Sequence, residues 1–418
     1  MTTGADRPRI HFTPRAGWIN DPLGLTWREN EYHLFFQYVP GRTEWDPACQ
    51  WGHATSPDLL SWTESSPALV PAPGRGCWSG TLVVPPGQPA RIFYTDVAAD
   101  DFDIGTIGSA EATASTWNSW TFTGEVARLP PGEDVLVFRD PYVFHDGKTW
   151  RMLVGSGRTD GTALAYGYRS DDLDTWSYTG AAASRPASDS AQVWTGEVWE
   201  CPQLFRAGDR WVLTFSVWRP VEQYYQAYAV GDYEDGVFTA RSWHRLAYGP
   251  CYYAGSVFRD DADMCGIIYW LRGVADPDNG WAGAHSVPHR LELQGDRLSA
   301  SPTPELLRRR SQPTTIHAGE SARVPPVADL EWRVAGEGRR SAIWLGSLQV
   351  ELNDGLLEVS HGAAAWECPA TGDTIRIVLD RGVLEFFAGH AVLAVYVDPA
   401  EAEVISVQAG SVTVHGID

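Results

Sequence analysis

Long apolar runs are missing from this sequence: no stretch approaches the ~20 residues that a membrane-spanning helix needs. The opening residues, MTTGADRPRIHF, contain no apolar segment of the secretory kind, so the cytoplasm is the expected location and a membrane is not an expected partner. Basic residues are scarce. Lys and Arg number 32 against 53 Asp and Glu, a formal net charge of −21, and such a field repels the phosphates of a nucleic acid. The one dense basic run, Arg308-Arg309-Arg310, reads as a solvated linker patch. Six cysteines at 49, 77, 201, 251, 265 and 368 form no CxxC pair with a second half-site. Neither a metal site nor a disulfide framework is signalled, and no cofactor is expected. Reduced thiols packed as small hydrophobes are the expectation. Extended helical periodicity is also missing, which argues against a parallel sheet with helical crossovers.

Glycine (41) and tryptophan (20) are what the 418 residues have in quantity. They suit short strands, tight turns and aromatic cores, or a surface that stacks on sugars. Five segments share one pattern, a turn followed by aromatic and β-branched residues: ENEYHLFFQY, GQPARIFYT, HDGKTWRMLVG, AGDRWVLTFSVW and DADMCGIIYWLRG. Their equivalent positions, Tyr32, Ile92, Trp150, Trp211 and Gly266, are 60, 58, 61 and 55 residues apart. Each unit is long enough for four strands and their turns, so the pattern predicts an all-β chain that opens with a five-bladed β-propeller. The repeat fades near residue 298. We expect the propeller over 1–298, a linker over 299–315 and a second β domain over 316–418. There Ile375, Ile377 and Leu379 alternate along one strand face, as in a β-sandwich of two packed sheets.

Three acids sit at matched places in this repeat. Asp21, Asp140 and Glu200 precede Tyr32, Trp150 and Trp211 by 11, 10 and 11 residues, and a proline follows each within two residues. The innermost strands of a propeller converge on its axis, so equivalent positions in different blades meet around one cavity. Carboxyls crowded there raise one another's pKa, which can keep one protonated while another stays ionised, as glycoside hydrolysis requires. The competing reading is that Asp-Pro marks a turn.

The words around these acids decide between the two. WINDPLG at 18–24 resembles the nucleophile motif of glycoside hydrolase family 32, the invertase, levanase and inulinase family. The likeness continues in the family's order through YHLFFQY (32–38), WGHATSPDLLSW (51–62), WSG (78–80), FRDP (138–141), WECPQLF (199–205), YGPCYYAGSVF (248–258), GWAGAHSVPHRLEL (280–293) and LDRGVLEFF (379–387). The resemblance implies a five-bladed propeller followed by a β-sandwich, acting on β-D-fructofuranosides. It implies Asp21 as nucleophile and Glu200 as acid and then base, about 5–5.5 Å apart in a retaining mechanism. Asp140 would hold sugar hydroxyls. Asn20, Gln37, Trp45, Trp78, Ser79 and Arg139 would complete the fructose pocket, with Arg139 hydrogen-bonded to Asp140 or Glu200 and Tyr253 close to the acids.

Four departures from the family pattern, Leu23, Val39, Asp46 and Cys251, are expected around the rim, where the partner of fructose would sit. The expected substrate is a small saccharide containing fructose: sucrose, a short fructo-oligosaccharide or an unusual fructoside. Transfer of fructose to another sugar stays open, as do inverting arabinan-type chemistry and a non-catalytic fructan-binding role. The second domain would brace the propeller or edge the pocket, with homo-oligomerisation through it left open.

Overall fold

The structure is a computed structural model and describes residues 6–260, 262–335 and 340–418. Five antiparallel units follow one another, each with its strands paired in chain order. Blade I comprises Gly17–Arg28, Glu31–Val39, Gln50–Ser56 and Thr63–Glu64. Blade II runs from Arg75–Val83 to Trp120–Ala127, blade III from Val135–His145 to Ser177–Pro186, and blade IV from Val198–Ala207 to Val237–Arg245. Blade V holds Tyr252–Arg259, Cys265–Asp276, His289–Gln294 and Arg297–Pro302. The first strands pack in ring order, the fifth against the first, and the result is a five-bladed β-propeller. Strand Trp281–His285 ties the ring, pairing with blade V on one edge and with Gly17 and Trp18 on the other. Tyr32, Ile92, Trp150, Trp211 and Gly266 each fall at the first or second residue of a blade's second strand. The sequence period is therefore the blade.

Every innermost strand is interrupted at the same level by a register shift against its neighbour. The shifts lie between Ile19 and Pro22, Trp78 and Gly80, Arg139 and Tyr142, Glu200 and Gln203, and Tyr253 and Ser256. An extra residue in one strand bends it and re-aims the side chains there. Asp140, Cys201 and Ala254 take left-handed backbone at φ 62°, 47° and 47°, a conformation that Asp tolerates and that costs free energy elsewhere. Strain of this kind, repeated around one axis, collects where a site is built.

The second domain is a β-sandwich of a seven-stranded and a six-stranded sheet. Ile375, Ile377 and Leu379 are buried in its core, as their alternation predicts. Val378, facing the other way on the same strand, is buried too, in a cluster shared with Tyr252, Leu271 and Val287 of the propeller. The sheet is thus covered on both faces, by its partner sheet and by the propeller. Ala247–Tyr248, from the stretch between blades IV and V, adds a parallel edge strand to it.

A buried polar network fastens the N-terminal segment to this junction. Backbone N–H groups of Arg9, Ile10 and His11 donate to Asp380, and the His11 ring bridges Asp380 (2.9 Å) and Glu385 (2.8 Å). Glu385 also accepts from Tyr252 Oη (2.5 Å), the Val287 N–H (2.9 Å) and His289 Nε2 (2.8 Å).

The basic run at 308–310 is not a solvated patch. Arg308 stays exposed beside Glu305, but Arg309 pairs with Asp58 of the propeller, and Arg310 pairs with Asp329 (2.7 Å) and Glu331 (2.6 Å) of the sandwich. Asp329 is wholly buried, and a buried carboxylate requires compensating charge. The run therefore bridges the two domains. Among the described residues no helix is long and apolar enough to cross a membrane.

Candidate active site

A cavity of about 780 Å³ opens at the end of the propeller axis where the bulged positions converge. Asn20, Asp21, Gln37, Trp45, Trp78, Ser79, Arg139, Asp140 and Glu200 all line it, so the structure brings together every pocket residue expected from the sequence. A larger cleft of about 1190 Å³ lies at the opposite strand ends, among Trp27, Tyr32, Arg206 and Arg259, and includes none of these nine.

Neighbouring blades hold one another's functional groups. Ser79 of blade II donates to Asp21 of blade I at 2.6 Å. The Asp140 N–H donates to Thr95 Oγ1 (2.8 Å), and that hydroxyl donates to the Ser79 carbonyl (3.0 Å). Across the next boundary, the Cys201 N–H donates to Asp140 Oδ2 (3.0 Å), and the Cys201 thiol lies 3.6 Å from a carboxylate oxygen of both Asp21 and Asp140. Glu200 is held on both oxygens, by Arg139 Nη2 at 2.7 Å and by Tyr253 Oη at 2.5 Å. Arg139 is itself clamped over the rings of Trp218 and Trp78. Trp45, Trp78 and Phe102 form an aromatic wall with ring centroids 5.3 to 5.8 Å apart. The Gln37 amide donates to the Cys77 carbonyl (2.9 Å), which leaves its own oxygen as an acceptor for a guest. Asn20 Oδ1 is buried with no protein partner among the described residues, as suits a group awaiting a hydroxyl.

The carboxyls are not equivalent. Burial, with the charge of Asp140 adding to it and the Ser79 hydrogen bond opposing, pushes Asp21 up to about 7. Burial also lifts Asp140 to about 6, with Arg139 opposing and Glu200 adding. Two buried acids side by side retain a proton near neutrality that neither would keep in water. Burial and the neighbouring Glu200 raise the Tyr253 phenol well above its ordinary value, so it remains a donor. Among the described residues no three His, Cys, Asp or Glu side chains gather in a way that could hold a metal ion.

The four departures from the family pattern do not form a rim. Leu23, Val39 and Cys251 are buried core residues, Cys251 at the junction with the sandwich. Asp46 pairs with Arg42 and accepts from the Ala48 N–H, bracing the Trp45 turn from behind. None of the four lines the cavity. Sequence reasoning missed the groups that do form the mouth, Phe102, Asp103, Val221 and Glu222. They lie on or beside the turns of blades II and IV, where the repeat leaves no signal. It also missed Thr95 and Cys201, although the Glu200-Cys201-Pro202 bulge had a counterpart at Asp140-Pro141.

The Tyr253 hydroxyl donates to Glu200, and we propose it as a positioning residue for that carboxyl, separable from the carboxyls themselves. Tyr253→Phe is expected to lower kcat by about 10- to 100-fold with little change in KM. Steady-state kinetics of this variant beside Tyr253→Leu checks it, and an unchanged kcat in both would remove Tyr253 from the site.

With this geometry in hand, comparison with known proteins places the chain. A sequence profile described as the glycosyl hydrolases family 32 N-terminal domain matches residues 11–302. A sucrose-6-phosphate hydrolase of Zymomonas mobilis is 28% identical, the match covering 91% of this chain and 84% of that protein. A raffinose invertase of Escherichia coli is 29% identical over 94% and 89%. Among solved structures, a Bombyx mori β-fructofuranosidase in complex with sucrose superposes with a TM-score of 0.86, at 23% identity, over 99% of this chain and 94% of that one. The propeller, its ring of bulges and the profile match together establish that this chain belongs to glycosyl hydrolase family 32.

Proposed function

We propose that the chain releases fructose from β-D-fructofuranosides by a retaining double displacement. The observation that carries this reading is the unequal support of three converging carboxyls. Asp21 is steadied by one hydroxyl and faces open cavity, Glu200 is gripped on both oxygens, and Asp140 is fixed by backbone. A nucleophile needs a free lone pair, and the Ser79 hydrogen bond supports the ionised form of Asp21 without covering it. Asp21 attacks C2 of the fructosyl unit while Glu200 protonates the departing oxygen. Arg139 and Tyr253 then stabilise the Glu200 carboxylate so produced. Water, deprotonated by Glu200, releases fructose from Asp21. Asp140 accepts hydrogen bonds from ring hydroxyls and places negative charge beside the oxocarbenium-like transition state. The names of the relatives, which cleave sucrose 6-phosphate and raffinose, favour a small fructoside. Six free thiols fit a reducing compartment such as the cytoplasm.

Methanol trapping tests the mechanism, because the product glycoside does not mutarotate. Incubation with sucrose and methanol is expected to yield methyl β-D-fructofuranoside by NMR. The α-anomer would overturn retention, and absence of fructose release from sucrose, raffinose and short fructo-oligosaccharides would overturn the hydrolase reading itself.

A further inference from the structure

The cavity mouth carries a charge pattern that the proposed chemistry does not use. Besides the three inner carboxyls, Asp103 and Glu222 line the opening, and both are exposed. Among the described residues lining the cavity, the cations are Arg139 and Arg272. Both are already engaged. Arg139 is bound to Glu200, and Arg272 donates to the Gln223 and Tyr224 carbonyls at 3.1 Å each while stacking on the Tyr253 ring. Arg219, next to the lining residues Trp218 and Pro220, is paired with Glu197 at 3.1 Å. The chain's single lysine, Lys148, pairs with Asp235 and does not line the cavity. What the mouth offers instead is apolar: Trp45 at 43% exposure, Phe102 and the fully exposed Val221.

A glycosyl ring can lay its C–H face on such surfaces and its hydroxyls toward carboxylates. A phosphate group brings a charge of about −1.5 to −2, meets two exposed acids and finds no uncommitted donor cation among the described residues lining the cavity. From this we infer that the leaving-group side of the pocket selects uncharged glycosyl partners of fructose and rejects phosphorylated ones, with Asp103 and Glu222 as the residues that set the preference. The inference rests on the fructoside-hydrolase reading given above. It separates this chain from the relatives whose names specify sucrose 6-phosphate.

The test compares kcat/KM for sucrose, sucrose 6-phosphate and raffinose, the last placing a neutral galactosyl group on the oxygen that bears the phosphate. At about 10 mM salt, sucrose is expected to exceed sucrose 6-phosphate by at least about tenfold, and the ratio should shrink in about 0.5 M salt as the field is screened. Raffinose should be cleaved better than sucrose 6-phosphate, which assigns the discrimination to charge rather than bulk. The double variant D103N/E222Q should reduce the sucrose to sucrose 6-phosphate ratio several-fold. Equal or faster cleavage of sucrose 6-phosphate overturns the inference and leaves the hydrolase reading standing. A ratio unmoved by both salt and the double variant overturns it as well. Failure to release fructose from all three substrates defeats the hydrolase reading and this inference together.

Discussion

Replacing Asp21 by asparagine is expected to lower kcat at least about ten-thousandfold and, in the same molecule, to make the fold more stable above pH 7. The first effect follows from removing the group assigned the covalent step, since an amide oxygen is a poor nucleophile of the same shape. The second follows from the cavity's electrostatics. Burial and Asp140 raise Asp21 from an ordinary 3.8 to about 7 in the folded chain. The folded state therefore holds a proton more tightly than the unfolded state does. Its advantage is present below about pH 4 and is lost as pH rises through about 7, beyond which the ionised carboxylate is a net burden on the fold. Asparagine never carries that charge. The variant should match the parent near pH 4 and exceed it at pH 8 by on the order of 4 kcal/mol, read as several degrees in thermal melts at both pH values. A variant whose advantage over the parent is no larger at pH 8 than at pH 4 would show that Asp21 does not bear the burden. A variant that keeps near-normal turnover would dismiss it as nucleophile.

That trade bears on why the candidate site is legible in the sequence. Asp140, Cys201 and Ala254 hold left-handed backbone at bulges, and the prolines after Asp21, Asp140 and Cys201 mark three of the bulges in the sequence. The blade period was legible because each blade repeats one local problem, a hairpin buried on both faces. Other features were not legible, for reasons of range and direction. Arg309 finds Asp58 across 251 residues, and no local pattern announces such a partner. Cys251 belongs to a motif beside the pocket, yet motif membership does not say which way a side chain faces. Cys251 lies in the core shared with the sandwich, and Tyr252 and Tyr253 project to Glu385 and Glu200 respectively. The mouth residues Asp103 and Glu222 lie where blades differ from one another, and a repeat predicts only what is repeated.

Glu385→Ala should be the most damaging change outside the pocket, costing about 3–5 kcal/mol of stability, because it leaves buried partners of a carboxylate without their charge. His11, His289, Tyr252 and the Val287 N–H all converge on it. The network also has a definite pH signature. Burial opposes protonation of His11, but its hydrogen bonds to Asp380 and Glu385 prevail and raise it to about 9. Its contribution is complete below an ordinary 6.5 and disappears as pH rises through 9. Burial likewise opposes ionisation of Glu385, while His289 and His11 hold it well below the usual carboxylate range. That contribution is complete above 4.5 and is lost only in strong acid. Both are intact between about pH 4.5 and 6.5, and across that interval Asp21 and Asp140 begin to erode the fold. Melting temperature should therefore be highest near the acid side of this window and fall steadily toward pH 9. His11→Asn should flatten the part of that fall between pH 7 and 9, and D21N the part below it. Because Tyr252 and Tyr253 are consecutive, Glu385→Gln should also lower kcat through a displaced Tyr253, by about the factor expected for Tyr253→Phe and not multiplicatively with it. Independent, multiplying losses in the double variant would mean that the sandwich stabilises the propeller without positioning Glu200.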